Sequence, residues 1–349
     1  MNHRTRGAGY VLKKVGIILL AAVIIYIALS LCLSPLIYRT IFASIRESDL
    51  NFDYPYEAIA DTVPRETVSF LSGENTLRGY IYHAAAPKAT VIVANGIGSD
   101  ADAHLPETLY FLEHGYNILT YDGTGVGRSD GESIVGLPQM RLDLLAAIDY
   151  LAGISGLPIV LYGHSAGGYA AAAVSDNKAV RAAVTVAAFN SPVETMRHMS
   201  HRYAGLLSET GMPFLLLAHR GTFGEDGFIE AIDVINATNT PVAVFYGDHD
   251  KTVDPAISLY EKRGDVTNPN AVFIQMNGGH SDLWLTQRAA DYRDIVRADF
   301  DALSVQYGRD IPDEIMTDFS EGIDRKCANE LNAGFMEEVI AFFEAALAA

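Results

Sequence analysis

The strongest constraint on how this chain folds is an alternation. Short runs of mostly β-branched and aliphatic residues occur at 67–71, 79–83, 90–94, 117–121, 158–162, 181–187, 242–246 and 271–276. Between them lie stretches of helical spacing around 103–114, 137–152, 166–175 and 255–263, and a last one at 335–347. Several runs are almost wholly apolar, as strands covered on both faces must be. Such alternation predicts a doubly wound α/β domain with a mostly parallel sheet. A short glycine-containing turn joins the first two runs, which predicts an antiparallel hairpin at one edge. Two stretches break the rhythm. Residues 191–240 separate the sixth and seventh strands, and 283–332 separate the last strand from the final helix. The second stretch spaces Tyr292, Ile295, Val296, Phe300, Leu303 and Tyr307 as a helix does.

Charge and hydropathy disagree in a way that locates a separate segment. The net charge is −18, yet mean hydropathy is +0.14. Residues 15–38 contain no charged side chain. As a helix they reach about 36 Å, enough to cross a hydrocarbon core of roughly 30 Å. Arg4, Arg6, Lys13 and Lys14 precede the run; Arg39 and Arg46 follow it, soon joined by Glu47, Asp49 and Asp53. That bias puts the amino terminus in the cytoplasm and the remainder outside. A cleaved signal peptide is the competing expectation, although no small-x-small site follows at a convincing position and the apolar run is long for a signal core. Lipid attachment at Cys32 is disfavoured by Leu31, where a small residue is needed.

The expected organisation is therefore a cytoplasmic stretch 1–14, an anchor 15–38, a stalk 39–65 containing Pro55 and Pro64, and one domain over 66–349. Residues 1–40 carry five positive and no negative side chains, leaving −23 for the rest. Such an acidic domain is repelled by a phosphate backbone, which excludes nucleic acid as a partner. It is also expected to stand off an anionic bilayer. Two cysteines and no Cys/His ligand spacing exclude a disulfide framework and a zinc site.

The chemistry concentrates in PIVLYGHSAGG, residues 158–168. An apolar strand runs into Gly163-His164-Ser165-Ala166-Gly167, and an alanine-rich helix follows at once. G-x-S-x-G alone is a weak signal, but between strand and helix it describes a sharp turn that exposes a serine. A serine hydroxyl needs a base to take its proton and an acid to hold that base. After the run 242–246 come Gly247-Asp248-His249-Asp250, and after 271–276 come Asn277-Gly278-Gly279-His280. Serine, acid, histidine is the chain order of an α/β-hydrolase. His280 alone among the histidines lies just past the final strand in a glycine-rich loop; Asp248, Asp250 and Asp254 all lie near the preceding strand end. The backbone N–H of Ala166, directly after the serine, is one candidate donor to an oxyanion.

On these residues the chain resembles the α/β-hydrolases of the serine-aminopeptidase-like or monoacylglycerol-lipase-like branch, in a membrane-anchored form. The resemblance covers residues 67–280 and the last helix. It implies a mostly parallel eight-stranded sheet flanked by helices, with a small lid at 191–240. It reads Gly247, Asp250 and Val253 as G-x-x-D-x-x-V, which selects Asp250 as the acid. It also makes Ile97, in the loop Asn95-Gly96-Ile97, the second oxyanion donor, with Asn95 where relatives have histidine. Residues 122–131 resemble the family's D-x-R-G-x-G-x-S-x-G loop, with Thr124 in place of the arginine.

The implied reaction is hydrolysis of a small-molecule acyl ester with no metal or organic cofactor, while the oligomeric state stays open. A peptidase acting on small peptides is the rival, since Glu194, Glu209, Glu225, Asp226 and Glu230 fall in the lid. A catalytically idle interaction module is the rival of another class.

Overall fold

The computed structural model describes residues 3–42, 50–308 and 311–349. A long helix, α1 (His3–Phe42), opens the chain. The eight expected strands follow as β1 (Glu66–Ser72), β2 (Asn75–Tyr82), β3 (Ala89–Ala94), β4 (Tyr116–Tyr121), β5 (Ile159–His164), β6 (Val180–Val186), β7 (Val242–Gly247) and β8 (Ala271–Met276). They form one sheet in the order β1-β2-β4-β3-β5-β6-β7-β8. β1 and β2 make the expected edge hairpin, with Glu66 opposite Ile81 and Ser72 opposite Asn75. From β4 to β8 every pairing is parallel.

Side chains alternate across the sheet with period two. In β3, Ile92 and Ala94 enter one core, while Val91 and Val93 enter the other. Helices α3 (Leu137–Ile154) and α4 (Ala166–Ala172) cover the first face. Helices α2 (Leu105–Glu113) and, late in the chain, α11 (Ala333–Ala348) cover the second. The inner strands β3, β5 and β7 are therefore buried throughout, which is why they read as continuous apolar runs.

Residues 191–240 form the lid, with α5 (Pro192–Ala204), α6 (Ser208–Phe223) and α7 (Ala231–Asn236). Residues 283–332 form a second helical insertion, α8 (Gln287–Tyr307), α9 (Asp313–Glu321) and α10 (Arg325–Ala328). Its base is closed where Thr286 N–H donates to Glu330 O and Asn332 N–H donates to Trp284 O. One helical expectation fails. Residues 255–263 form two short 3₁₀ turns, Pro255–Ile257 and Tyr260–Asp265. The Asp254 carboxylate accepts from Ala256 N–H and the Ser258 hydroxyl from Tyr260 N–H, so side chains take backbone donors a longer helix would use.

The amino-terminal parts also differ from expectation. Within α1, Tyr10–Tyr38 is long and apolar enough to cross a membrane by length and composition. Yet the domain does not stand clear of this helix. Tyr26 Oη donates to Thr210 O at 2.7 Å, and its ring meets Phe214 edge-on, so α6 lies along α1. The charge of the domain is unevenly placed: across α5 and α6, Arg197, Arg202 and Arg220 face only Glu194 and Glu209. Nor do residues 50–65 behave as a stalk. Phe52 is buried beneath Arg293 and Arg297, and Tyr54, Tyr56, Ile59 and Val63 pack on the second core.

Candidate active site

β3 and β5 are neighbours, but the chain leaves them toward opposite sides of the sheet, β3 to β4 and β5 to β6. Such a switch point leaves a crevice at the carboxyl ends of the strands, where open α/β sheets bind ligands. The loop after β3 carries Gly96 and Ile97, and the turn after β5 carries Ser165.

Ser165 sits at φ 57° and ψ −117°, a backbone region that costs a non-glycine residue energy. Hydrogen bonds over-determine it: Ser165 N–H donates to Val186 O at 2.8 Å, and Tyr169 N–H donates to Ser165 O at 3.0 Å. The flanking glycines are required by space. A Cβ on Gly163 would lie 2.3 Å from Gly167 O, and one on Gly167 would lie 2.0 Å from Ala94 O. The G-x-S-x-G spacing thus records how closely β3, β5 and α4 approach.

Ser165 Oγ lies 2.9 Å from His280 Nε2, and His280 Nδ1 lies 2.9 Å from Asp250 Oδ2. A carboxylate accepts, so Nδ1 carries the proton and Nε2 faces the serine hydroxyl as an acceptor. The Asp250 side chain is fully buried, and its other oxygen accepts from Thr252 N–H at 2.8 Å and Val253 N–H at 2.9 Å. The other two acids do different work. Asp248 bridges the loops after β7 and β8 by accepting from Gly278 N–H, which holds its carboxyl below the usual range. Asp254 caps the following turn. His249 is exposed against Asp248.

The Gly96 backbone runs against Ser165, with a Cβ there only 3.6 Å from the serine Cβ. Among the described residues, neither Ile97 N–H nor Ala166 N–H donates within the protein. Asn95 keeps the loop in shape by donating from Nδ2 to Asp100 O. Asp122 supports it from below, its carboxylate accepting from Ala101 N–H and Arg128 N–H. Thr124 replaces the family's arginine without leaving a gap in the hydrogen bonding. It donates through N–H and Oγ1 to the buried Asp143, which also accepts from Ser72 Oγ and Gln139 Nε2.

A buried shell behind His280 escaped sequence reasoning. His164 Nε2 donates to His280 O at 2.9 Å, and its ring lies 4.9 Å from the His280 ring and 4.7 Å from Trp284. Burial, with the neighbouring His280 and His104, drives the His164 pKa well below its ordinary value, so this ring is neutral. Arg293 of the insertion donates to Ser281 O, Ala328 O and Asn329 Oδ1, which ties α8 to the His280 loop. Only the position of His164 beside the serine signalled any of this.

A cavity of about 400 Å³ lies between core and lid, and Ile97, next to the Gly96 that lies against Ser165, is among its lining residues. Phe189, Met196, Met199 and Ile257 make it apolar; its charged lining residues are Arg202 and Lys251, with no carboxylate. Among the described residues, no group of three or more His, Cys, Asp or Glu side chains could hold a metal.

Known structures resemble this arrangement. An esterase from Pyrococcus furiosus, Pf2001, superposes with a TM-score of 0.52 at 17% identity, covering 75% of this chain and 99% of its own. A second crystal form gives 0.51 at 20%, covering 68% and 90%. The chain has the α/β-hydrolase fold. Residues 85–220 match the sequence profile of the serine aminopeptidase, S33 family. A polyketide transferase from Penicillium, grgF, is 34% identical over 141 residues, 37% of this chain. The match spans 46% of that transferase's length. An uncharacterized Escherichia coli protein, YfhR, is 24% identical over 257 residues, 70% of this chain and 84% of its own.

Proposed function

We propose that this α/β-hydrolase cleaves carboxylic esters through an acyl-enzyme on Ser165. The observation that carries the reading is the unbroken hydroxyl–imidazole–carboxylate chain, with both links at 2.9 Å. His280 Nε2 takes the hydroxyl proton as Ser165 Oγ attacks the ester carbonyl. Asp250 fixes the imidazole tautomer and balances the imidazolium charge. The Ile97 and Ala166 N–H groups receive the tetrahedral oxyanion, each donor worth roughly 10²–10³ in rate. His280 returns the proton to the departing alcohol, then activates water, which releases the acid and restores the serine.

The peptidase reading loses support from the lid acids. Glu194 pairs with Lys262, Glu209 with Arg197, Glu225 with Arg220 and Asp226 with Arg141. Glu230 accepts from Asn190 Nδ2. An apolar pocket with Arg202 and Lys251 in its lining suits a neutral or anionic acyl group better than an ammonium. Parallel assays on p-nitrophenyl esters and amino-acid anilides test this. Ester turnover that dominates and vanishes in Ser165→Ala supports the reading; anilide turnover that dominates replaces it with the peptidase.

We also propose that residues 15–38, within the apolar stretch Tyr10–Tyr38, form an uncleaved membrane anchor with a cytoplasmic amino terminus and an extracytoplasmic domain. Reporter fusions at either end test it, and a reporter signal from the cytoplasm at the carboxyl terminus would reverse the topology.

A further inference from the structure

The amino-terminal helix does more than approach the lid. Its residue Tyr38 is 4% exposed and lines the cavity between core and lid. The hydrogen bonds around it have a fixed direction. His219 Nε2 donates to Gly227 O at 2.6 Å, so that nitrogen carries the proton and Nδ1 is an acceptor. Tyr38 Oη lies 2.8 Å from this Nδ1 and donates to it. His219 is itself buried and faces the cavity, and burial pushes its pKa below the ordinary value, which keeps the ring neutral as this arrangement requires. Met196, Met212, Leu215 and Phe223 of the lid close around the tyrosine as one apolar cluster. On the other side Val135 and Gly136, at the start of α3, meet its hydroxyl. Tyr38 therefore stands between lid and core, in the wall of a cavity that Ile97, the neighbour of Gly96, also lines.

We propose that α1 forms part of the substrate site and that Tyr38 is a specificity-determining residue, setting the length of acyl chain the cavity accepts. The proposal rests on the ester-hydrolase reading for its substrate class. The pocket is then completed by the same helix that is proposed to anchor the protein, so anchor and acyl site are one structural unit.

The test uses the full chain in detergent micelles with p-nitrophenyl esters from acetate to palmitate, and Tyr38→Ala, Tyr38→Trp and Tyr38→Phe. Tyr38→Ala is expected to move the optimum of kcat/KM to longer chains, by about fourfold for each methylene newly admitted. Tyr38→Trp is expected to move it to shorter chains, and Tyr38→Phe to leave it in place because the ring remains. Acetate turnover in each variant is the reference against which its chain-length profile is scaled. A chain-length profile that is unchanged in both Tyr38→Ala and Tyr38→Trp overturns the proposal. Should Tyr38→Ala fail to fold, the opposite shift in Tyr38→Trp decides. Binding of saturated fatty acids of graded length to the same proteins reads the cavity without catalysis. If the wild type hydrolyses no ester, the functional reading fails, while the fatty-acid series still shows whether Tyr38 bounds the cavity.

Discussion

The sheet-borne site and the lid–helix cavity are built on opposite principles. Ser165, Asp250 and His280 stand in the turns at the ends of β5, β7 and β8, and β5 and β7 are buried throughout. The cavity is assembled from distant parts of the chain, Tyr38 meeting His219 across 181 residues of sequence. On the proposed function the first region, which leaves little freedom for geometry, carries the chemistry. The second, whose lining can change without disturbing the sheet, carries selectivity on the same proposal.

That contrast predicts a graded set of effects. In the sheet region, Ser165→Ala should lower kcat for a short ester by roughly 10⁴–10⁶, and Asp250→Asn by roughly 10⁴, with unchanged circular dichroism. Gly167→Ala should cost about 3 kcal/mol, because its methyl would meet Ala94 O and force strands apart. Denaturant midpoints measure this, and a midpoint equal to wild type would mean that the elbow is looser than described.

A third prediction concerns pH. His164 has a folded pKa depressed by burial, so below about 6.5 the unfolded chain binds a proton that the folded chain refuses. Stability present above that pH is then lost as pH falls, at up to about 1.4 kcal/mol per unit for this group. His164→Gln keeps a donor toward His280 O and should flatten the slope of Tm between pH 6.5 and 5. An equally steep slope in the variant would assign the effect elsewhere.

The smallest effect belongs to the lid. Met196→Ala should raise KM for a long-chain ester by about fivefold to tenfold with a smaller effect on acetate, since the side chain lines the cavity and packs in the lid cluster around Tyr38. An equal loss on acetate would show that lid and chemistry are not separable.

The legibility of the sequence follows the same division. Strands covered on both faces, such as β3, β5 and β7, announce themselves as apolar runs. The elbow is legible because close backbone approach demands glycine at 163 and 167. The choice among Asp248, Asp250 and Asp254 needed the resemblance, because all three suit a turn and only Asp250 reaches His280. The 255–263 segment was misread because helical spacing does not reveal Asp254 and Ser258 taking the backbone donors. His164, Arg293 and the union of α1 with α6 were invisible for a different reason. Each depends on a contact between elements that no local pattern encodes, such as Tyr26 with Thr210. The net acidity pointed away from that union, since an average over the chain hides the arginines of α5 and α6.

The central claim, that Ser165 is a nucleophile activated by His280 and Asp250, is tested most directly by a fluorophosphonate probe on the folded full chain, with the adduct mapped by mass spectrometry. The account predicts one adduct, on Ser165, lost in Ser165→Ala and formed far more slowly in His280→Ala. A folded wild-type protein that takes no label at Ser165, or labels equally fast without His280, would contradict it.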